Sequence, residues 1–109
     1  MLLKMQPITV YVTCKDRAEA LKIGHLVVER RQAACANVVD GMESIYWWEG
    51  KLETATEAIL IFKTLEGCLG ALTDSVKELH SYTVPCVVAL PILGGNPDYL
   101  DWIRDQVMV

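Results

Sequence analysis

The side chains able to ligate a soft ion or act as nucleophiles are four cysteines, Cys14, Cys35, Cys68 and Cys86, and two histidines, His25 and His80. No two cysteines form a C-x-x-C pair, so the local sequence contains no ready dithiolate clamp. Topology can still bring distant residues together. If the strand ending at Cys14 runs antiparallel to one beginning at Cys86, the two thiols meet at one end of a sheet. His80, a few residues upstream of Cys86, then arrives at the same end. Two thiolates and an imidazole suit Cu(I) or Zn(II). A packing reading stands beside this one. Cysteine is among the most buried residue types and often only fills space, and His80-Ser81-Tyr82 can order a loop through hydrogen bonds. Cys35 is expected at the opposite end of the sheet as a core thiol, and Cys68 half exposed on a helix near Gly67 and Gly70, so neither is a good ligand.

Catalysis has little to start from. A serine or cysteine nucleophile needs a base within hydrogen-bond reach. His25 lies mid-helix beside Gly24 and reads as a surface or packing residue. The chain has no G-x-S-x-G, no H-E-x-x-H and no phosphate-cradling glycine loop, and Gly94-Gly95-Asn96-Pro97 reads as a turn into a helix. No enzyme is expected, and no cofactor is required; copper or zinc is the only inorganic partner the residues suggest.

The positioning elements follow from periodicity. Ile8-Thr9-Val10-Tyr11-Val12-Thr13 alternates as a strand. Asp16 offers an N-cap with Glu19 at capping-box spacing, and Ala20, Ile23, Gly24 and Val27 carry a helix over about 17–32. Residues 36–49 and 51–63 form the arms of a long hairpin that turns through Glu49-Gly50-Lys51, with Asp40-Gly41 marking a bulge. Leu65, Leu69, Leu72, Val76 and Leu79 predict a second helix, Cys86 to Leu90 a short strand between prolines, and Pro97 onward a last helix. The order βαββαβ with a terminal helix predicts an α+β, ferredoxin-like sandwich: one antiparallel sheet with helices on one face.

The hairpin tip is unusually apolar. Tyr46, Trp47 and Trp48 stand side by side, and each arm reaches roughly 40 Å at about 3.3 Å per residue, beyond what the chain's own helices can cover. Adjacent tryptophans there expect a partner, most simply a second copy, with Tyr46, Trp47 and Trp48 as interface anchors.

The chain has 109 residues, which predicts a single domain over 1–109, and a formal net charge of −4. That balance argues against nucleic acid, which needs a clustered basic face. The stretch Met1-Leu2-Leu3-Lys4-Met5-Gln6-Pro7 lacks the pattern of a signal peptide, and Val84 to Leu93 is broken by Pro85 and Pro91. The expectation is a cytoplasmic protein with no membrane role and free thiols.

Four separated segments carry a specific likeness: Ala33-Ala34-Cys35-Ala36-Asn37, Ser44-Ile45-Tyr46-Trp47-Trp48-Glu49-Gly50-Lys51-Leu52-Glu53, Glu78 to Pro85, and Gly95 to Trp102. Together they resemble the CutA family, small trimeric proteins linked to divalent-cation tolerance. The resemblance implies a non-enzymatic homotrimer involved in tolerance or binding of ions such as copper. The family motifs also repeat Tyr46, Trp48, Lys63, His80 and Tyr82, more polar-tipped groups than a core needs. They define a candidate ligand pocket between subunits. One departure stands out: where the family commonly has an acid after Val-Pro, this chain has Cys86. Two alternatives remain at this level, a PII-like trimeric signalling module sensing a small anionic ligand at subunit clefts and a purely structural scaffold.

Overall fold

A computed structural model describes residues 3–109; Met1 and Leu2, part of the N-terminal stretch considered above, lie outside them. Strand β1 (Pro7–Cys14) directs Ile8, Val10, Val12 and Cys14 into the core by strict alternation. Helix α1 (Arg17–Glu29) starts where Asp16 Oδ1 accepts the Glu19 N–H at 2.8 Å. It ends before the expected residue 32, because Arg31 adopts a left-handed φ of 60° and its N–H turns back to the Val28 carbonyl. Gly24 lets the helix approach the sheet. A Cβ there would lie 3.2 Å from the Ala36 Cβ and 3.3 Å from Leu60 Cδ1.

Strands β2 (Cys35–Trp48) and β3 (Lys51–Leu65) form the long hairpin. Glu49 and Gly50, with φ of 50° and 76°, make a two-residue turn of the type whose twist matches paired strands. The expected bulge falls between Val39 and Met42, where Gly41 has φ 76°. Leu65 proves to be the last residue of β3 rather than the first of a helix; Glu66–Cys68 is a 3-10 turn leading into α2 (Leu69–Leu79). β4 (Val87–Pro91) and α3 (Pro97–Gln106) complete the chain, with Asn96 capping α3 through the Asp98 N–H.

The sheet runs β2-β3-β1-β4 with antiparallel pairing throughout, the ferredoxin-like order. α1 and α2 bury Ile23, Val27, Leu72 and Val76 on one face of it, against Val10, Val12, Leu60 and Phe62. A smaller cluster joins Leu65, Cys68, Ile103 and Val107 beneath α3. This corrects the expectation for Cys68: it is buried, 2% exposed, inside that cluster. The opposite face of the sheet is open, with Val88 and Leu90 exposed, and so is the outer hairpin, where Ile45 and Trp47 are each 73% exposed and Leu52 61%. The molecule is accordingly elongated, 43 × 25 × 23 Å. Among the described residues no helix is long and apolar enough to cross a membrane.

Candidate functional site

The pairing Cys14↔Ala58 puts the end of β1 beside the middle of β3, and the segment after α2 passes over this end of the sheet. On the helix side, the sulfur of Cys14, a carboxylate oxygen of Glu19 and a ring nitrogen of His80 lie within 4.8 Å of one another. Topology thus brings Cys14 and His80 together as expected. The third group is Glu19, not Cys86.

The ring of His80 is sealed from solvent. Its Nε2 is 2.8 Å from the Thr13 carbonyl oxygen and 3.6 Å from Glu19 Oε1, while its Nδ1 lies 3.0 Å from the Tyr82 nitrogen. A backbone N–H can only donate, so Nδ1 accepts and Nε2 carries the proton to Thr13. Glu19 is equally committed: Oε1 accepts from the Lys15 N–H at 3.2 Å and Oε2 from the Ser81 N–H at 3.1 Å. The Cys14 thiol is pushed up to about 12, first by burial, then by the charges of Glu19, Glu57 and Asp16. A metal needs a thiolate and a free nitrogen lone pair. The donor types suit zinc or copper, but in this arrangement both ring nitrogens are engaged and the thiol resists ionisation. The cluster as folded does not fit a metal ion; it is a hydrogen-bonded knot that pins the 80–82 segment to α1.

Cys86 belongs to the other face. Val12 pairs with Val87, so the next step along the strands sets Cys86 opposite Thr13, whose side chain alternates away from that of Cys14. Both Thr13 and Cys86 line a cleft of about 650 Å³ on the open face. Burial raises the Cys86 thiol and the charge of Glu57 adds to it, partly opposed by a hydrogen bond with Thr13. The expected meeting of Cys14, His80 and Cys86 therefore fails for a simple reason: adjacent strand residues face opposite ways.

The cleft gathers part of the predicted ligand pocket. Tyr46 and Trp48 from β2 and Tyr82 from the loop form its walls. His80 stands behind Tyr82, ring centroids 4.8 Å apart, and holds it without reaching the cleft. At the cleft floor Glu57, 6% exposed, accepts from the Tyr82 hydroxyl at 2.6 Å through Oε2. Burial, that hydrogen bond and the Glu57 charge push the Tyr82 phenol well above its ordinary range. Within one protomer Lys63 stands apart from this cleft. It lies at the opposite end of the sheet, paired with Cys35 across the strands, its Nζ 2.9 Å from Asn37 Oδ1 and 3.9 Å from Cys35 Sγ. Cys35 is at that far end as expected but is not a core thiol. It is half-buried, 3.8 Å from the Tyr99 hydroxyl, because it opens the edge strand β2. All four cysteines are free thiols.

Sequence reasoning missed Glu57 as a site residue and saw Glu19 only as a cap. An acid directly before the apolar run from Ala58 to Phe62 is a signal in retrospect, since a carboxylate on a covered strand must find a donor.

A sequence profile described as "CutA1 divalent ion tolerance protein" matches residues 8–106. The chain is 48% identical over 99 residues to "Protein CutA 1, chloroplastic" of Oryza sativa subsp. japonica, covering 91% of this chain and 56% of the rice protein. It is 45% identical over 97 residues to the "Divalent-cation tolerance protein CutA" of Thermus thermophilus, covering 89% of this chain and 94% of that one. The chain thus spans little more than half of the plant relatives and nearly all of the bacterial one. Crystal structures agree: rice CutA1 superposes with a TM-score of 0.92 at 46% identity over 94% of each chain. The Thermus thermophilus protein gives 0.92 at 42% identity over 94% of this chain and 99% of the other. On sequence and fold together, this chain belongs to the CutA1 divalent ion tolerance family.

Proposed function

We propose that the protein is a non-enzymatic homotrimer serving divalent-cation tolerance, with copper or zinc as the ion it binds, and that it works in the cytoplasm. Family membership across residues 8–106 carries the cation-tolerance reading. The trimer is supported by the outer hairpin, where Tyr46, Trp47, Trp48, Ile45 and Leu52 are all exposed in one protomer. A run of apolar side chains on a long two-stranded arm is stable only when something covers it. Sedimentation at micromolar concentration tests assembly: a trimer is expected, and a compact monomer overturns it. Copper titration of the wild type, Cys14→Ser and Cys86→Ser tests the metal. With the Cys14 knot closed, Cys86→Ser is expected to weaken binding more than Cys14→Ser, and unchanged binding in both removes these thiols from the reading.

A second reading, a ligand-sensing module, is favoured by one observation, the cleft between Tyr46, Trp48, Tyr82 and Glu57. Its volume of about 650 Å³ falls within the range of small-molecule sites. The two readings meet in the cleft, because Cys86, the thiol expected to matter more for copper, lines it beside Thr13 and Glu57.

A further inference from the structure

The His80 ring holds its loop through a bond that only one protonation state allows. Its side chain is fully buried within a single protomer, so assembly can add to its surroundings but cannot uncover it. His80 closes α2, and its Nδ1 accepts the N–H of Tyr82, two residues on, at 3.0 Å. On the other side Nε2 donates to the Thr13 carbonyl at 2.8 Å and stands 3.6 Å from Glu19 Oε1. The two sides respond differently to a proton, because an imidazolium carries N–H groups at both nitrogens. The Nε2 side accommodates it unchanged, with Thr13 as acceptor and the Glu19 carboxylate as counter-charge. The Nδ1 side does not, because two N–H donors then face each other at 3.0 Å. Around the ring stand Cys14 from β1, Asp16 and Glu19 from the start of α1, and Tyr82, with Glu57 of β3 bonded to the Tyr82 hydroxyl. The acids supply negative charge and Cys14 is a neutral thiol, so the surroundings offset a charged ring rather than repel it.

We propose that His80 is a proton-operated latch on the segment between α2 and β4: the neutral ring holds Tyr82, and protonation lets it go. Ser81 stays in place, because its N–H bonds Glu19 Oε2 at 3.1 Å independently of the ring. The released stretch runs from Tyr82 to the start of β4 at Val87. It carries Tyr82 and Cys86, so acid loosens this wall of the cleft whatever a second copy adds to the other.

The test is nuclear magnetic resonance of the assembled full-length protein, titrated from about pH 8 to about pH 4. Ring nitrogen shifts read the tautomer and protonation of His80. Amide exchange, corrected for its intrinsic pH dependence, reads the Tyr82 and Ser81 bonds. The Nε2–H tautomer is expected at the alkaline end. Tyr82 should then lose protection about tenfold or more in step with ring protonation, while Ser81 keeps its own. His80→Asn puts a carbonyl oxygen in the role of Nδ1, able to accept from the N–H two residues on but unable to take up a proton. Tyr82 protection should persist in that variant at every pH. The opposite tautomer, a ring that stays neutral down to acid unfolding, or Tyr82 protection indifferent to ring protonation overturns the latch. Equal loss at Ser81 also overturns it, since the whole knot then opens, and so does the same pH-dependent loss in His80→Asn. Should that variant fold poorly, the wild-type coincidence of ring protonation with Tyr82 exchange decides alone.

Discussion

Glu19 and Glu57 are alike in burial, 9% and 6% exposed, and both are held by the segment after α2. Ser81 donates its N–H to Glu19 at 3.1 Å, and one residue later Tyr82 donates its hydroxyl to Glu57 at 2.6 Å. There the likeness ends. Glu19 faces the helices and has each oxygen matched by a backbone donor, with the His80 ring against it. Glu57 faces the open side with a single protein donor and a cleft before it. The pair shows how one loop serves two purposes. The saturated carboxylate fixes the loop, and the loop in turn presents Tyr82 and one unsaturated carboxylate to whatever enters. A buried acid whose hydrogen bonds are complete is structural; one left incomplete at a cavity is where chemistry can be added.

The sharpest way to break this contrast is to remove the saturated acid. Glu19→Ala leaves the Lys15 and Ser81 N–H groups without acceptors and the His80 ring against a void. Each orphaned donor costs about 1–3 kcal/mol, so a loss of about 3 kcal/mol in urea unfolding is expected. A loss below about 1 kcal/mol would mean that the knot does not hold the loop.

Much of this was legible in the residues, and the failures have physical reasons. Alternation in β1, the Asp16 cap and the Asp40-Gly41 bulge are local signals, so they placed the fold correctly. The nearness of Cys14 and His80 followed from strand order alone. Side-chain direction did not. Cys86 lies at the expected end of the sheet but on the opposite face from Cys14, because one residue of offset reverses a strand's side chains. Lys63 pairs with Cys35 and Thr9 at the other end of β3, so within one protomer it stands apart from Tyr46, Trp48 and Tyr82. Glu19 was hidden by its role as a cap, since a capping acid gives no hint that a distant loop also donates to it.

The second prediction compares thiols on the two faces. Cys14, raised from 9.0 to about 12 and sealed, should resist iodoacetamide in the native protein near pH 8, while the half-buried Cys35 reacts first and Cys86 more slowly. Linkage gives the sign for stability. A thiol raised on folding contributes fully below its unfolded value near 9.0, and that contribution is lost as pH rises toward about 12. Unfolding free energy should therefore fall above pH 9, by at most about 1.4 kcal/mol per pH unit from this group, and less steeply in Cys14→Ala. Parallel slopes in the two proteins would remove Cys14 from the sealed side of the comparison.

The smallest expected effect is the most discriminating. Glu57→Gln keeps an acceptor for the Tyr82 hydroxyl and orphans no donor, so its stability should stay within about 0.5 kcal/mol of the wild type. The charge, however, is gone. Tyr82 is held above its ordinary range of about 10 by burial first and then by its hydrogen bond and repulsion with Glu57. Glu57→Gln removes the repulsion and weakens that bond to a neutral one, so the phenol should ionise at lower pH, though burial keeps it above an exposed tyrosine. Absorbance near 295 nm, titrated against a Tyr82→Phe reference, reads this directly. A downward move at unchanged stability makes Glu57 a charged group that the fold does not need, as a ligand-facing acid should be. A large loss of stability would instead place Glu57 beside Glu19 as a structural carboxylate, and the two faces would no longer differ.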